Sequence, residues 1–107
     1  MIIFSKVDQV DMAPDIFFSI VNPVYNRAHI VADTIDSILG QNFKEFELII
    51  VDDGSNDNLK MLLLERYADP RIIYVAQTNQ ERGYSRNNGY KLARGTHVIF
   101  VDSDDLL

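Results

Sequence analysis

Five of the 16 acidic residues gather at two points where a short apolar run ends. They are Asp52 and Asp53 after the run at residues 47–51, and Asp102, Asp104 and Asp105 after the run at residues 96–101. Neighbouring carboxylates repel one another, and each is pushed toward protonation unless a cation or a hydrogen-bond donor offsets its charge. A divalent metal ion is the simplest such cation, and ligand sets made only of oxygen favour Mg²⁺ or Mn²⁺.

The sequence alternates short apolar runs with helical patterns. The runs are rich in β-branched residues and bounded by turn formers, which is typical of buried strands. They cover residues 16–21, 47–51, 71–75 and 96–101, and Asn22 and Pro23 are expected to stop the first. Strands that alternate with helices predict an α/β fold, a Rossmann-like open parallel sheet with crossover helices. Ligands bind such sheets beyond the carboxyl ends of the strands, where the acidic residues lie.

The helical patterns carry predicted ends. Residues 31–39 place apolar side chains on one helical face, and Gly40 follows at a position typical of a C-cap glycine. Ser55 is the expected N-cap of a second helix, which Pro70 closes. A third helix is predicted over about residues 84–94. Residues 1–15 have no clear period and are interpreted as an N-terminal arm or leader, which leaves residues 16–107 as one domain.

Composition excludes several classes of protein. The chain has 107 residues and no cysteine, which excludes disulfides, cysteine-zinc sites and a thiol nucleophile. The net charge of −6 comes without the basic stripe that nucleic-acid modules carry. Neither a G-x-G-x-x-G turn nor a Walker A loop is present. The apolar runs are short, and the N-terminus does not resemble a signal peptide, so a cytoplasmic location is expected.

Four segments together resemble the N-terminal half of a family 2 glycosyltransferase with the GT-A fold. They are residues 19–26 (SIVNPVYN), 49–55 (IIVDDGS), 83–89 (GYSRNNG) and 100–105 (FVDSDD). Each segment alone is a weak signal, but the four in this order and spacing are specific. The resemblance covers about residues 16–107 and implies a donor site for a nucleotide-diphosphate sugar. Among such sugars, a UDP-sugar is the expected donor.

The resemblance also implies roles for individual residues. Pro23 and Tyr25 would line the base pocket, and Asp53, with Asp52, would accept hydrogen bonds from the base or the ribose. Arg86 would lie on the nucleotide side of the site. The remaining roles fall on the segment that is similar to the family's DxD motif: Asp102 would face the ribose or the metal, and Asp104 would ligate Mn²⁺ or Mg²⁺.

The implied enzyme is a metal-dependent, inverting hexosyltransferase of polysaccharide biosynthesis that acts on a saccharide or lipid-linked acceptor. Inversion needs a general base near the acceptor hydroxyl, and that base is expected beyond Leu107. We therefore expect a donor-binding half that is inactive alone and that lies, within a longer enzyme, in the cytoplasm or at the cytoplasmic face of the membrane. Asn22 departs from the family pattern, which usually has an apolar residue or threonine before the proline.

Two other functions share some of these features. A receiver-type signalling module also carries strand-end acids around Mg²⁺, and Asp102 would then be its phosphoryl acceptor. A nucleotidyltransferase also holds a metal with carboxylates, but it usually has a glycine-rich and basic loop after the first strand. A sheet cut at Leu107 would also expose edge surface, so the isolated chain is expected to form homo-oligomers.

Overall fold

The structure is a computed structural model that describes residues 2–5, 18–41, 45–78 and 82–102. Within these residues the chain forms five strands and three helices. They are β1 Ile2–Ser5, β2 Phe18–Val24, α1 Ala28–Leu39, β3 Phe46–Asp53, α2 Leu59–Arg66, β4 Ile72–Gln77, α3 Arg82–Leu92 and β5 His97–Phe100. No helix in the described part of the chain is both long enough and apolar enough to cross a membrane.

The strands form one sheet in the order β1-β5-β2-β3-β4. The neighbours from β5 to β4 are parallel, which confirms the predicted open α/β sheet with crossover helices. At the other edge, β1 pairs antiparallel with β5, Ile2 opposite Phe100. The segment interpreted as an arm therefore contributes an edge strand, while residues 6–17 lie outside the described residues.

The first parallel strand does not stop where the sequence analysis placed its end. The strand β2 continues through Asn22 and Pro23 to Val24, and Pro23 lies opposite Val51 of β3. The fixed φ of proline is compatible with extended backbone, and β2 keeps its pairing with β3 through Pro23 although proline has no N–H to donate.

Each face of the sheet carries its own apolar core. Ile20 and Ile50 belong to the cluster that α1 and α2 cover, with Val31 and Leu63 among the helical residues. The opposite face packs Val21, Ile49 and Val51 in a second cluster with residues at and beyond the C-terminal end of α3. Both faces are covered, which is why the strands read as nearly continuous apolar runs in the sequence.

A buried polar cluster ties the amino ends of β2 and β3 to the turn before β5. The carboxylate of Glu47 accepts hydrogen bonds from the Ser19 hydroxyl at 2.6 Å and from the Arg94 backbone N–H at 2.7 Å. The Gly95 N–H donates to Ser19 Oγ at 2.7 Å. A Cβ at Gly95 would lie 2.8 Å from Ser19 N, so only glycine fits this approach. The cluster fixes where β5 starts relative to β2.

Candidate functional site

The turn after β3 is built around the carboxylate of Asp52, which is 6% exposed. Its Oδ1 accepts a hydrogen bond from Ser55 N at 2.9 Å, and its Oδ2 accepts one from the Tyr74 hydroxyl at 2.5 Å. Burial, together with the hydrogen bond and the charge of Asp52, raises the pKa of Tyr74 above its ordinary value. Asp52 therefore holds the turn and the neighbouring strand β4, whatever further group it contacts.

The next carboxylate, Asp53, belongs to a network that joins β3, β4 and α3. Gln77 Nε2 donates to Asp53 Oδ1 at 2.9 Å and lies 3.0 Å from the Ser85 hydroxyl. The other end of the same amide, Gln77 Oε1, accepts from Asn88 Nδ2. Because α3 is tied here to the strand ends, the position of the α3 side chains depends on this network.

Two loops at this edge are bonded to each other. Asn26 has a left-handed φ of 51°, donates its N–H to Ser55 Oγ at 2.9 Å, and accepts at Oδ1 from Asn56 N at 2.7 Å. Asp57 accepts from the N–H of Ala28 at the start of α1, at 3.0 Å. These bonds hold the loop after β2 against the loop after β3.

The prediction that Ser55 caps α2 is wrong. The helix begins at Leu59, and its N-cap residue is Asn58, which makes no side-chain capping bond. The Ser55 hydroxyl is instead used by Asn26 of the other loop. A capping pattern read along one stretch of sequence cannot show that a distant N–H competes for the same hydroxyl.

The end of β5 brings Asp102 to Arg86 of α3. Arg86 Nη2 lies 3.4 Å from Asp102 Oδ1, and the two side chains are 31% and 37% exposed. Arg86 Nε is buried and has no hydrogen-bond partner within the described residues. The Arg86 guanidinium therefore lies beside a strand-end carboxylate, and its Nε–H is not used in a hydrogen bond within the described residues. Asp104 and Asp105 lie outside the described residues.

The residues predicted to line a base pocket lie at and just beyond the end of β2. Pro23 is partly buried in the strand, and Tyr25, the first residue after it, is 46% exposed. An aromatic ring that is half exposed at the mouth of a sheet offers a face on which a planar group can stack.

The sheet order places these groups along one edge. Arg86 and Asp102 lie at the β5 end, and Asp52 and Asp53 lie at the β3 end, with β2 between them. Two strand spacings amount to about 10 Å, so a ligand that reaches both ends must be extended. At its β3 end this edge has carboxylates that can accept hydrogen bonds. At its β5 end it has the positively charged guanidinium of Arg86.

A divalent metal fits the donor chemistry of this edge in part. Asp102 supplies a partly exposed carboxylate oxygen at the strand end, of the hard type that Mg²⁺ and Mn²⁺ prefer. Among the residues that the structure describes, no group of three or more histidine, aspartate or glutamate side chains could hold a metal ion. Further ligands would have to come from outside these residues, and Asp104 is the residue that the family resemblance implies.

Sequence reasoning missed several polar residues of the site. Gln77 ends β4 at the same edge of the sheet, and the rule that singled out the other strand ends would have found it. Tyr74 is a different case, since it was predicted as part of an apolar run, and its bond to Asp52 depends on the pairing of β3 with β4. The roles of Asn26, Ser55 and Asp57 depend on contacts between loops that are distant in sequence.

An open parallel sheet with polar groups at its carboxyl edge is the arrangement in which α/β folds bind ligands. The sequence model of the family described as Glycosyl transferase family 2 matches residues 19–107 of the chain. The chain therefore belongs to glycosyltransferase family 2.

Individual proteins show the same likeness. An uncharacterized glycosyltransferase of Rickettsia felis is 42% identical over 88 residues, which are 82% of this chain and 15% of that protein. The structure of S. aureus TarS 1-349 in complex with UDP-GlcNAc matches with a TM-score of 0.80 and 33% identity, over 85% of this chain and 27% of that chain. The mannosyltransferase PcManGT from Pyrobaculum calidifontis, in complex with GDP-Man and Mn²⁺, matches with a TM-score of 0.75 and 25% identity, over 90% of this chain and 31% of that chain.

Proposed function

We propose that the chain binds the nucleotide-diphosphate part of a sugar donor at the carboxyl edge of its sheet, and that it is the donor half of a metal-dependent, inverting glycosyltransferase. A UDP-sugar is the proposed donor. The chain spans 15% of the length of the Rickettsia felis relative and 27% of the TarS chain. Sugar transfer itself is therefore proposed for a longer protein that contains this half, and the isolated chain is expected to bind without transferring.

One observation carries the proposal. Arg86 is held beside Asp102 at the carboxyl end of β5, while the buried carboxylates of Asp52 and Asp53 are fixed at the carboxyl end of β3. Gln77 Nε2 donates to Asp53 Oδ1, and this bond orients the carboxylate at the end of β3. Two structural neighbours were solved with a nucleotide sugar bound, which supports the same class of ligand here.

The residues present support distinct roles. Tyr25 and Pro23 would contact the base, Asp52 and Asp53 would orient it, and Arg86 would bind the diphosphate. Asp102 and Asp104 would hold Mn²⁺ or Mg²⁺, which when bound offsets the negative charge that develops on the leaving nucleoside diphosphate. The acceptor, a saccharide or a lipid-linked saccharide, stays a prediction from the family resemblance.

Calorimetric titration of UDP into the 107-residue chain, with and without Mn²⁺, tests the proposal. Asp104→Asn is the informative variant, and Asp33→Asn, which alters an exposed aspartate of α1, is the matched control. We expect binding that needs Mn²⁺, that Asp104→Asn abolishes and that Asp33→Asn leaves unchanged. Metal-dependent binding that survives Asp104→Asn would refute the metal assignment. A folded chain that binds none of UDP, GDP and dTDP would refute the donor site.

A further inference from the structure

One buried polar residue has no part in the proposed donor site. Asn22 is 0% exposed, and it lies in β2 between Ile20 and Val24, which both belong to the core under α1 and α2. Alternation along a strand places all three side chains on that face. An apolar side chain of similar size would fill this space without bringing an amide into the core.

The pairing of β2 with β5 explains what the amide does. Val21 pairs with Phe100, so Val101 comes opposite Asn22 if the register continues. Val101 N donates to Val21 O at 2.9 Å, as that register requires. In a parallel ladder the next bond runs from the N–H of the residue after Asn22 to the carbonyl of Val101. That residue is Pro23, which has no N–H to donate.

The side chain of Asn22 makes the missing bond. Its Nδ2 donates to Val101 O at 2.6 Å. The opposite amide orientation would face one oxygen with another, so this contact fixes the side chain. The price is that Asn22 Oδ1 is buried and has no hydrogen-bond partner within the described residues. The Nδ2 of Asn22 is therefore hydrogen-bonded to Val101, while the Oδ1 of the same amide is left unsatisfied.

We infer that Asn22 is a positioning residue, whose side-chain amide replaces the backbone donor that Pro23 lacks and thereby holds the chain at the exit of β5. The residue held is Val101, and the next residue is Asp102, the first carboxylate of the proposed metal and nucleotide site. Two hydrogen bonds to Val101, one at its N–H and one at its carbonyl, fix the direction in which the chain leaves the strand. The consequence for ligand binding rests on the proposed function, but the hold on Val101 does not.

Nuclear magnetic resonance of the unliganded chain tests the hold directly. In the native chain we expect a scalar coupling across the hydrogen bond from Asn22 Nδ2 to the carbonyl carbon of Val101. In Asn22→Leu, hydrogen exchange at Val101 N–H should become about tenfold faster, because the carbonyl of the same residue is released. Thr34→Val, which removes a buried hydroxyl from α1 on the same side of the sheet, is the matched control and should leave that rate unchanged.

A double variant separates positioning from packing. Asn22→Leu with Pro23→Ala restores a backbone N–H at position 23, so it should return the Val101 exchange rate to near the native value. A packing defect caused by leucine would not be repaired in this way. The inference is overturned if the coupling is absent from the native chain, if Asn22→Leu leaves Val101 exchange unchanged, or if the double variant does not restore it.

Titration of UDP and Mn²⁺ into the same single variants tests the consequence for the site. We expect Asn22→Leu to weaken binding about tenfold through misplacement of Asp102, and Thr34→Val to bind like the native chain. Unchanged binding in Asn22→Leu would overturn the link to Asp102. If the native chain does not bind UDP, the proposed function fails, while the exchange experiment still decides whether Asn22 holds Val101.

Discussion

At the scale of single residues, the buried carboxylates of the candidate site already accept hydrogen bonds from other side chains of the fold. Asp52 and Asp53 are buried, yet each accepts a hydrogen bond from a side chain of β4. Burial of a polar group costs free energy unless the group is hydrogen-bonded, and these donors offset that cost. Such bonds fix the orientation of each carboxylate in the unliganded chain, which would lower the entropic cost of the proposed binding.

Tyr74→Phe tests the bond to Asp52 through its dependence on pH. Near neutral pH the variant should lose about 1–2 kcal/mol of unfolding free energy, since a partly exposed hydrogen bond to a charged group is removed. The pKa of Tyr74 is raised in the folded state, so the native protein binds the phenol proton more tightly than the unfolded chain does. Native stability from this group is therefore complete below about pH 10 and decreases as the pH rises above that value.

Urea unfolding of both proteins across this range provides the measurement. The difference in unfolding free energy between the native chain and Tyr74→Phe should shrink above about pH 10. A difference that stays constant from neutral to strongly alkaline pH would show that the phenol does not interact with Asp52 in solution.

Arg86→Gln tests the cation of the site. Removal of the guanidinium should weaken UDP binding in Mn²⁺ by about tenfold or more, because hydrogen bonds to a charged group are lost. Arg71→Gln is the control, since Arg71 pairs with Asp69 immediately before β4, at the opposite end of that strand from Gln77. Equal weakening by the two substitutions would mean that general charge, and not the placement of Arg86, attracts the nucleotide.

At the scale of elements, α3 lies very close to β2. A Cβ at Gly89 would stand 2.2 Å from Val21 Cγ1, so only glycine lets the helix approach this far. The approach determines the position of Arg86, which lies one turn earlier on the same helix. The packing role of Gly89 could not be predicted from the sequence, because its packing partner Val21 lies on a strand far away in sequence.

Gly89→Ala should lower the unfolding free energy by about 1–3 kcal/mol, because the added methyl group overpacks the core against Val21. This loss should exceed the gain in helix propensity that alanine normally provides. Asn87→Ala, at an exposed position of the same helix, is the control and should be neutral or slightly stabilising. Thermal or urea unfolding measures both variants, and a stabilised Gly89→Ala protein would contradict the close packing of α3.

The elements also show how far sequence reasoning reaches. The four parallel strands were predicted because buried strands leave a local pattern, and the strand-end rule led to Asp53 and Asp102. The continuation of β2 through Pro23 and the use of Ser55 by Asn26 were not predicted. Both depend on which strand or loop lies alongside, and a single sequence does not show its own partners in space.

At the scale of the whole molecule, the described sheet ends at β4 on one side. This six-residue edge strand, IIYVAQ, carries no charged residue and no proline, the usual devices against pairing between molecules. Met61 and Leu64 of α2 add exposed apolar surface. Self-association of the chain therefore stays a prediction, and the uncharged edge strand β4 and the exposed side chains of α2 are the structural reason for it.

Light scattering against concentration tests this prediction. The chain should form dimers or larger species at high concentration, and more readily in salt, which screens the repulsion due to its net charge of −6. Ala76→Lys places a charge at an exposed position of β4 and should shift the chain toward monomer. A native chain that stays monomeric at all concentrations would contradict the prediction.

The central claim is that a nucleoside diphosphate binds at the carboxyl edge of this sheet with a divalent metal. Paramagnetic broadening by Mn²⁺ in the presence of UDP, followed for each backbone amide, tests it most directly. We predict that UDP makes Mn²⁺ broaden the amides of Asp53, Arg86 and Asp102, while those of Ser19 and Glu47 at the opposite edge stay sharp. Broadening that UDP does not change, or that is centred on the amino ends of the strands, would contradict the claim.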